Sequence, residues 1–167
     1  MNDDWLTGFF EGQASFSVNI GLNKSKNKRY VVFKPYIVIA SVDKYQVEHI
    51  INIFKLKSTV SKKKKKESYH SDYHSLNIQN FEDIEKILNK IKGFDFISKI
   101  KRDKVEKFID CYNDIVELGH IHSKWEDDFE NIIDKKLIIN QVRSNINKNR
   151  FSKKVWVDKI REHLESE

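Results

Sequence analysis

The sequence predicts an α+β fold in which helices and antiparallel hairpins alternate as αββαββα, with extra helices after the last. Three observations carry this reading. A short helix with an apolar face runs directly into an alternating strand between Trp5 and Val18. Segments dense in β-branched and aromatic residues come in pairs. Between and after these pairs, apolar residues recur at the spacing of one helix face.

In the opening stretch, Leu6, Phe9 and Phe10 give the helical half its apolar side, and Gly8 sits in its middle. A mid-helix glycine costs roughly 1 kcal/mol relative to alanine, so it is expected where something packs very closely. Phe16 and Val18 then alternate with Ser15 and Ser17, the period of a half-buried strand over 15–21. Residues 22–29, rich in Lys, Asn and Ser, are expected to connect it to the next strand, Tyr30–Ala40. Pro35 cannot donate a ladder hydrogen bond, so it belongs at a bulge or on an edge-facing side. Asp43 caps a helix running to Phe54, with Val47, Ile50, Ile51 and Phe54 on one face.

A second hairpin is expected from Leu56–Lys64 and Ser68–Ile78, with Lys62–Lys66 around its turn. Asn80 caps the helix Phe81–Ile91, and Gly93 ends it. A further helix spans Ile97–Leu118 and stops at Gly119. Beyond it, Trp125–Asn131, Ile132–Ser144 and Val155–Leu164 have helical character. Residues 1–118 are thus expected to form a core domain, and 119–167 a C-terminal helical extension of it.

Composition narrows the function classes. The 167 residues include 39% apolar and 12% aromatic side chains, enough for one folded domain. Lys and Arg number 31 against 25 Asp and Glu, a net charge of +6 that favours a polyanionic partner. The single Cys111 excludes a disulfide framework and is expected to be a small buried residue. Neither a run of about 18 apolar residues nor a leader sequence is present, so a soluble protein with no membrane role is expected. Abundant Lys, Asn and Ile with scarce Gly, Pro and Ala is the bias of AT-rich codons, which points to a mitochondrion or another organelle.

The stretch Leu6-Thr7-Gly8-Phe9-Phe10-Glu11-Gly12-Gln13-Ala14-Ser15-Phe16 resembles the signature of the LAGLIDADG homing endonucleases, single-motif type. Phe94-Asp95-Phe96-Ile97-Ser98-Lys99-Ile100-Lys101-Arg102 echoes a second phrase of that family. The resemblance implies a four-stranded antiparallel sheet backed by helices. It also implies site-specific, Mg²⁺-dependent cleavage of double-stranded DNA, with intron-encoded relatives. By the same resemblance, Leu6, Gly8 and Phe9 form a homodimer interface. Glu11, Gly12 and Gln13 surround the metal, and Gln13 and Lys101 are the catalytic positions, with Lys99 as the competing register. The chain departs from the family at Gln13, where the family has a metal-binding acid. A hard cation wants anionic oxygen, and a neutral amide weakens both metal binding and transition-state stabilisation. Gln13 is therefore either a poor ligand or simply part of a helix seam.

Two basic hairpin tips are the remaining candidates. Lys24, Lys26, Lys28 and Arg29, with Lys34 beyond them, mark the first. Lys62, Lys63, Lys64, Lys65 and Lys66, followed by Tyr69, His70 and Tyr73, mark the second. Cations can reach phosphates and aromatic rings can stack on bases. The partner expected is double-stranded DNA or structured RNA. In the RNA case, a cleavage-dead chain would serve as an intron maturase or within an organellar ribonucleoprotein such as the mitoribosome. His120, His122, Asp127 and Asp128 lack a recognised ligand spacing and are set aside as a metal site.

Overall fold

The computed structural model describes residues 3–26, 28–63, 72–141 and 152–166. Lys64, Lys65, Lys66, Tyr69 and His70 lie outside them. In order, the elements are α1 Asp3–Gln13, β1 Ala14–Ser25, β2 Lys28–Ser41, α2 Lys44–Phe54, β3 Val60–Lys63 and β4 Tyr73–Ile78. There follow α3 Phe81–Ile91, α4 Lys99–Leu118, β5 Ile121–His122, α5 Phe129–Gln141 and α6 Lys153–Glu165. The expected α+β order is present, and the sheet runs β1-β2-β4-β3 with β5 paired to β2.

The chain divides into two compact units. Unit 1 comprises Met1–Phe16 and Tyr36–Asp103; unit 2 comprises Ser17–Pro35 and Lys104–Glu167. The strands β1 and β2 and the helix α4 each contribute residues to both.

In unit 1, β2 pairs β4 antiparallel from Ile37↔Ile78 to Ser41↔His74, and β4 pairs β3 from Val60↔Leu76 to Lys63↔Tyr73. Ile37, Ile39, Leu76 and Ile78 are completely buried, as are Val47 and Ile50 of α2 and Ile84 and Ile87 of α3. Each such side chain contributes about 1.5–3 kcal/mol by leaving water. An aromatic chain runs through this core: Phe10 meets Phe54 at 5.8 Å and Phe94 at 6.2 Å, and Phe94 meets Phe96 at 6.0 Å. Asp43 caps α2 by accepting from the Tyr45 amide at 2.9 Å, as its sequence position predicts. Asn80 caps α3 by accepting from Asp83.

The second hairpin begins at Val60 rather than Leu56, and a buried carboxylate is the reason. Asp83 Oδ2 accepts from the Lys57 amide, the Ser58 amide and Ser58 Oγ at 2.9–3.2 Å. This anchor holds residues 57–58 out of the ladder.

In unit 2, β1 extends to Ser25, well past the expected end. The reversal is confined to a tight turn in which Lys26 takes the left-handed conformation, φ 51. Strand β5, absent from the expected order, pairs Val31↔His122 and Val32↔Ile121, and the Phe33 amide donates to the His120 carbonyl. Pro35 therefore falls between the β5 partners and the first β4 partner along β2. Phe33, His122 and Trp125 all pack against Phe129, at 4.9–5.3 Å.

Helix α5 is one element, not the two expected. Glu126 and Asp128 carbonyls accept from its first turn, so the acidic run before Phe129 is a helix start rather than part of a helix. The last helix opens on Ser152, whose Oγ accepts from the Val155 amide.

The edge of β1 is covered within unit 2. Ser17 Oγ donates to Asn140 Oδ1 at 2.6 Å, Asn140 Nδ2 donates to the Val18 carbonyl, and His163 Nε2 lies 2.9 Å from the Asn23 carbonyl. Helices α5 and α6 thus occupy polar groups that an open edge strand would offer to another chain.

Candidate nucleic-acid interface

Helix α1 has two unlike faces. Leu6, Phe9 and Phe10 are buried inside unit 1, and Phe9 stacks on Trp5 at 5.1 Å. Gly8 and Gly12 are exposed, and a Cβ built on either would meet nothing within 4 Å beyond the helix itself. Close packing inside this chain therefore does not explain Gly8. The side chains of Leu6 and Phe9, expected at a partner interface, are engaged in their own core.

The helix ends at the polar junction singled out in the sequence. Glu11 accepts from the Ile97 amide at 3.2 Å and the Ser98 amide at 2.6 Å. A carboxylate at the start of α4 satisfies donors that have no partner within the helix and sits favourably in its dipole. Ser98 Oγ adds a cap by accepting from the Lys101 amide. This is why α4 starts at Lys99 rather than Ile97.

Gln13, exposed at the end of α1, lines a shallow groove of about 340 Å³ with Ala40, Ser41, Val42 and Tyr73. Ser41 donates to Gln46 Oε1 at 2.9 Å, so its hydroxyl is held in place. Lys101 Nζ donates to the Ala14 carbonyl and lies 5.4 Å over the Phe16 ring. The ammonium therefore sits at the first residue of β1, one position beyond Gln13.

This donor set does not fit a tightly held divalent cation. Mg²⁺ is bound through carboxylates with near-ideal octahedral geometry. Gln13 and the Gly12 carbonyl are neutral, and Glu11, expected near the metal, is committed to two amides. Among the described residues no group of three or more His, Cys, Asp or Glu side chains could hold a metal ion, the His120–Asp128 set included.

Several exposed cations lie on or between the strands. In unit 2, Lys24 precedes the β1–β2 reversal, Lys26 lies in it, Lys28 follows it, and Lys34 is exposed farther along β2; Arg29 is half-buried. In unit 1, Lys62 stands opposite His74 and pairs with Asp72 at 3.0 Å, while Lys63 stands opposite Tyr73. Strand alternation shows polar residues that single-residue inspection missed. Val38↔Asn77 and Ala40↔Ser75 lie on the face opposite the buried Ile37, Ile39, Leu76 and Ile78. Their signal was the period-two pattern itself. The Glu11–Ser98 contact had no such signal, since its partners lie far apart in sequence.

A glycine-faced helix that runs into a basic antiparallel sheet is the architecture of a homing endonuclease. More narrowly, the sequence matches the LAGLIDADG endonuclease family over residues 6–112, and the chain belongs to that family. No curated protein matches it in sequence. Among solved structures it is similar to the homing endonuclease I-TnaI, with a TM-score of 0.70, 19% identity, and 96% of this chain and 99% of that one covered. It is also similar to the archaeal intron-encoded homing endonuclease I-Vdi141I, complexed with DNA: TM-score 0.69, 17% identity, 97% and 93% covered. The homing endonuclease I-GzeII, in complex with a DNA target, aligns with a TM-score of 0.64 and 19% identity over 95% of this chain but 48% of its own. Among the described residues no helix is long and apolar enough to cross a membrane.

Proposed function

We propose that this chain binds duplex DNA through its basic strands as a pair of copies, and that it no longer cuts. One observation carries the loss of cleavage: Gln13 stands where the family places its metal-binding acid, and the neighbouring Glu11 caps a helix instead. Losing one anionic ligand from each half of a two-fold site removes charge where it matters most for phosphate chemistry, roughly 4 kcal/mol or more of barrier. The ancestral activity would be Mg²⁺-dependent double-strand cleavage. Binding does not need the metal. Exposed Lys24, Lys26, Lys28 and Lys34 can neutralise phosphates, and the exposed Asn77 of β4 can meet base edges.

Pairing rests on the open face of α1. Glycines whose Cβ would meet no described residue of their own chain beyond the helix leave room for a second helix at close range. Lengths agree with this: one copy spans 99% of I-TnaI but 48% of I-GzeII. The AT-rich character of the composition is the observation that favours an organellar location under this reading.

Fluorescence anisotropy with duplex DNA and with structured RNA, alongside a sizing measurement, tests this. Preferential binding of duplex DNA by a dimer is expected. Preference for structured RNA would move the reading to a ribonucleoprotein role. A strict monomer on DNA would remove the pairing through α1.

A further inference from the structure

Ile121 is 56% exposed on a strand whose other residue is buried. The pairing of β5 decides what each residue displays: Val31 stands opposite His122, and Val32 opposite Ile121. His122 turns inward, meeting Phe33 at 6.0 Å and Phe129 at 4.9 Å, so Ile121 turns outward. The backbone behind it is held in place. The Phe33 amide donates to the His120 carbonyl at 3.0 Å, and His122 Nε2 lies 2.8 Å from the Gly119 carbonyl. Gly119 leads into the strand with φ 91, a conformation that favours glycine.

The surroundings of Ile121 select its partner. By strand alternation, Lys28, Tyr30, Val32 and Lys34 share the outward face of β2 with it, and both lysines are exposed. Val32 is only 6% exposed, and directly opposed side chains on one face of a sheet lie within contact range. The result is one apolar spot on a basic face. A single aliphatic side chain is far too small a patch to hold a protein, since stable interfaces bury about 1,600 Å². It does match one base methyl group. Thymine carries the apolar group on the base edges of the major groove, and lysines beside it can meet phosphates.

We propose that Ile121, backed by Val32, reads a thymine by packing on its 5-methyl group in the major groove of duplex DNA. This rests on the reading of the chain as a DNA-binding protein. It assigns base discrimination to a strand off the β1-β2-β4-β3 path.

The test starts from duplexes enriched from a randomised library by binding to the unaltered chain. One thymine in each half-site should recur among them. Replacing it in one half-site by deoxyuridine removes the methyl group and keeps the base pair. Binding should weaken about fourfold, the effect of burying one methyl group. With Ile121→Ala, the thymine and deoxyuridine duplexes should bind equally; with Ile121→Val, a difference should remain. Enrichment with Ile121→Gln should lose thymine at that position alone. Lys24→Ala should weaken binding of every duplex and leave the fourfold difference unchanged. Thermal melts that match the unaltered chain confirm that the variants are folded, and the deoxyuridine scan of the unaltered chain stands without them. No thymine whose methyl group matters, or a deoxyuridine penalty that survives Ile121→Ala, overturns the thymine contact and leaves the DNA-binding reading standing. Enrichment of no duplex overturns both. A fall from dimer to monomer with Ile121→Gln overturns the thymine contact in favour of a contact between copies.

Discussion

The junction of α1 with β1 and the arm formed by β1 and β2 treat their charges in opposite ways. At the junction, Glu11 is committed to two backbone amides and Lys101 to the Ala14 carbonyl. On the arm, Lys24, Lys26, Lys28 and Lys34 are exposed to solvent. The junction's charges hold the fold together, while the arm's are available to a partner. Under the proposed function, this distribution keeps the parts needed to bind and lacks the anionic oxygen needed to cut.

Restoring that oxygen should have the largest effect. Gln13→Glu should raise Mg²⁺- or Mn²⁺-dependent cleavage of a bound duplex by about 10³-fold, roughly 4 kcal/mol of barrier, read as nicked and linear plasmid. An unchanged rate would mean that more than one carboxylate has been lost from the site.

Next in size is the structural role of the junction. Glu11→Ala leaves two amides at the start of α4 without their acceptor, an expected loss of about 1–2 kcal/mol and a fall in Tm of roughly 2–8 °C. DNA affinity measured below the transition should change far less. On the arm the pattern should invert. Lys24→Ala with Lys26→Ala should lower the slope of log affinity against log salt by about two and leave Tm nearly unaltered.

The smallest effect concerns Cys111, buried in α4 with Sγ 4.0 Å from the Ile132 carbonyl. Burial, helped by Asp114, pushes its thiol up to about 12. The unfolded chain would ionise that thiol near pH 8.5, and the folded one would not. Its contribution to stability is therefore present below that pH and declines as pH rises from about 9 towards 12. Iodoacetamide at pH 8.5 should label Cys111 only after denaturant is added.

Much of the fold was legible because local chemistry and apolar period agreed. Asn80 with Ile84, Ile87, Leu88 and Ile91 defined α3, and Asp43 with Val47 and Ile50 defined α2. What escaped was set by distant partners. Polar Asn23–Ser25 continue β1 because the chain reverses only at Lys26, not because their own pattern demands a strand. Strand β5 is two residues long and exists only as a partner of β2. In the candidate site, the position of Gln13 could be read from the motif alone. The commitment of Glu11 to α4, and of Asn140 and His163 to the β1 edge, required the folded chain.

Supercoiled plasmid incubated with the unaltered protein and Mg²⁺ separates binding from cutting. A retarded complex is expected whose DNA remains supercoiled after the protein is stripped away. Linear or nicked product at a rate matching the Gln13→Glu protein would contradict it.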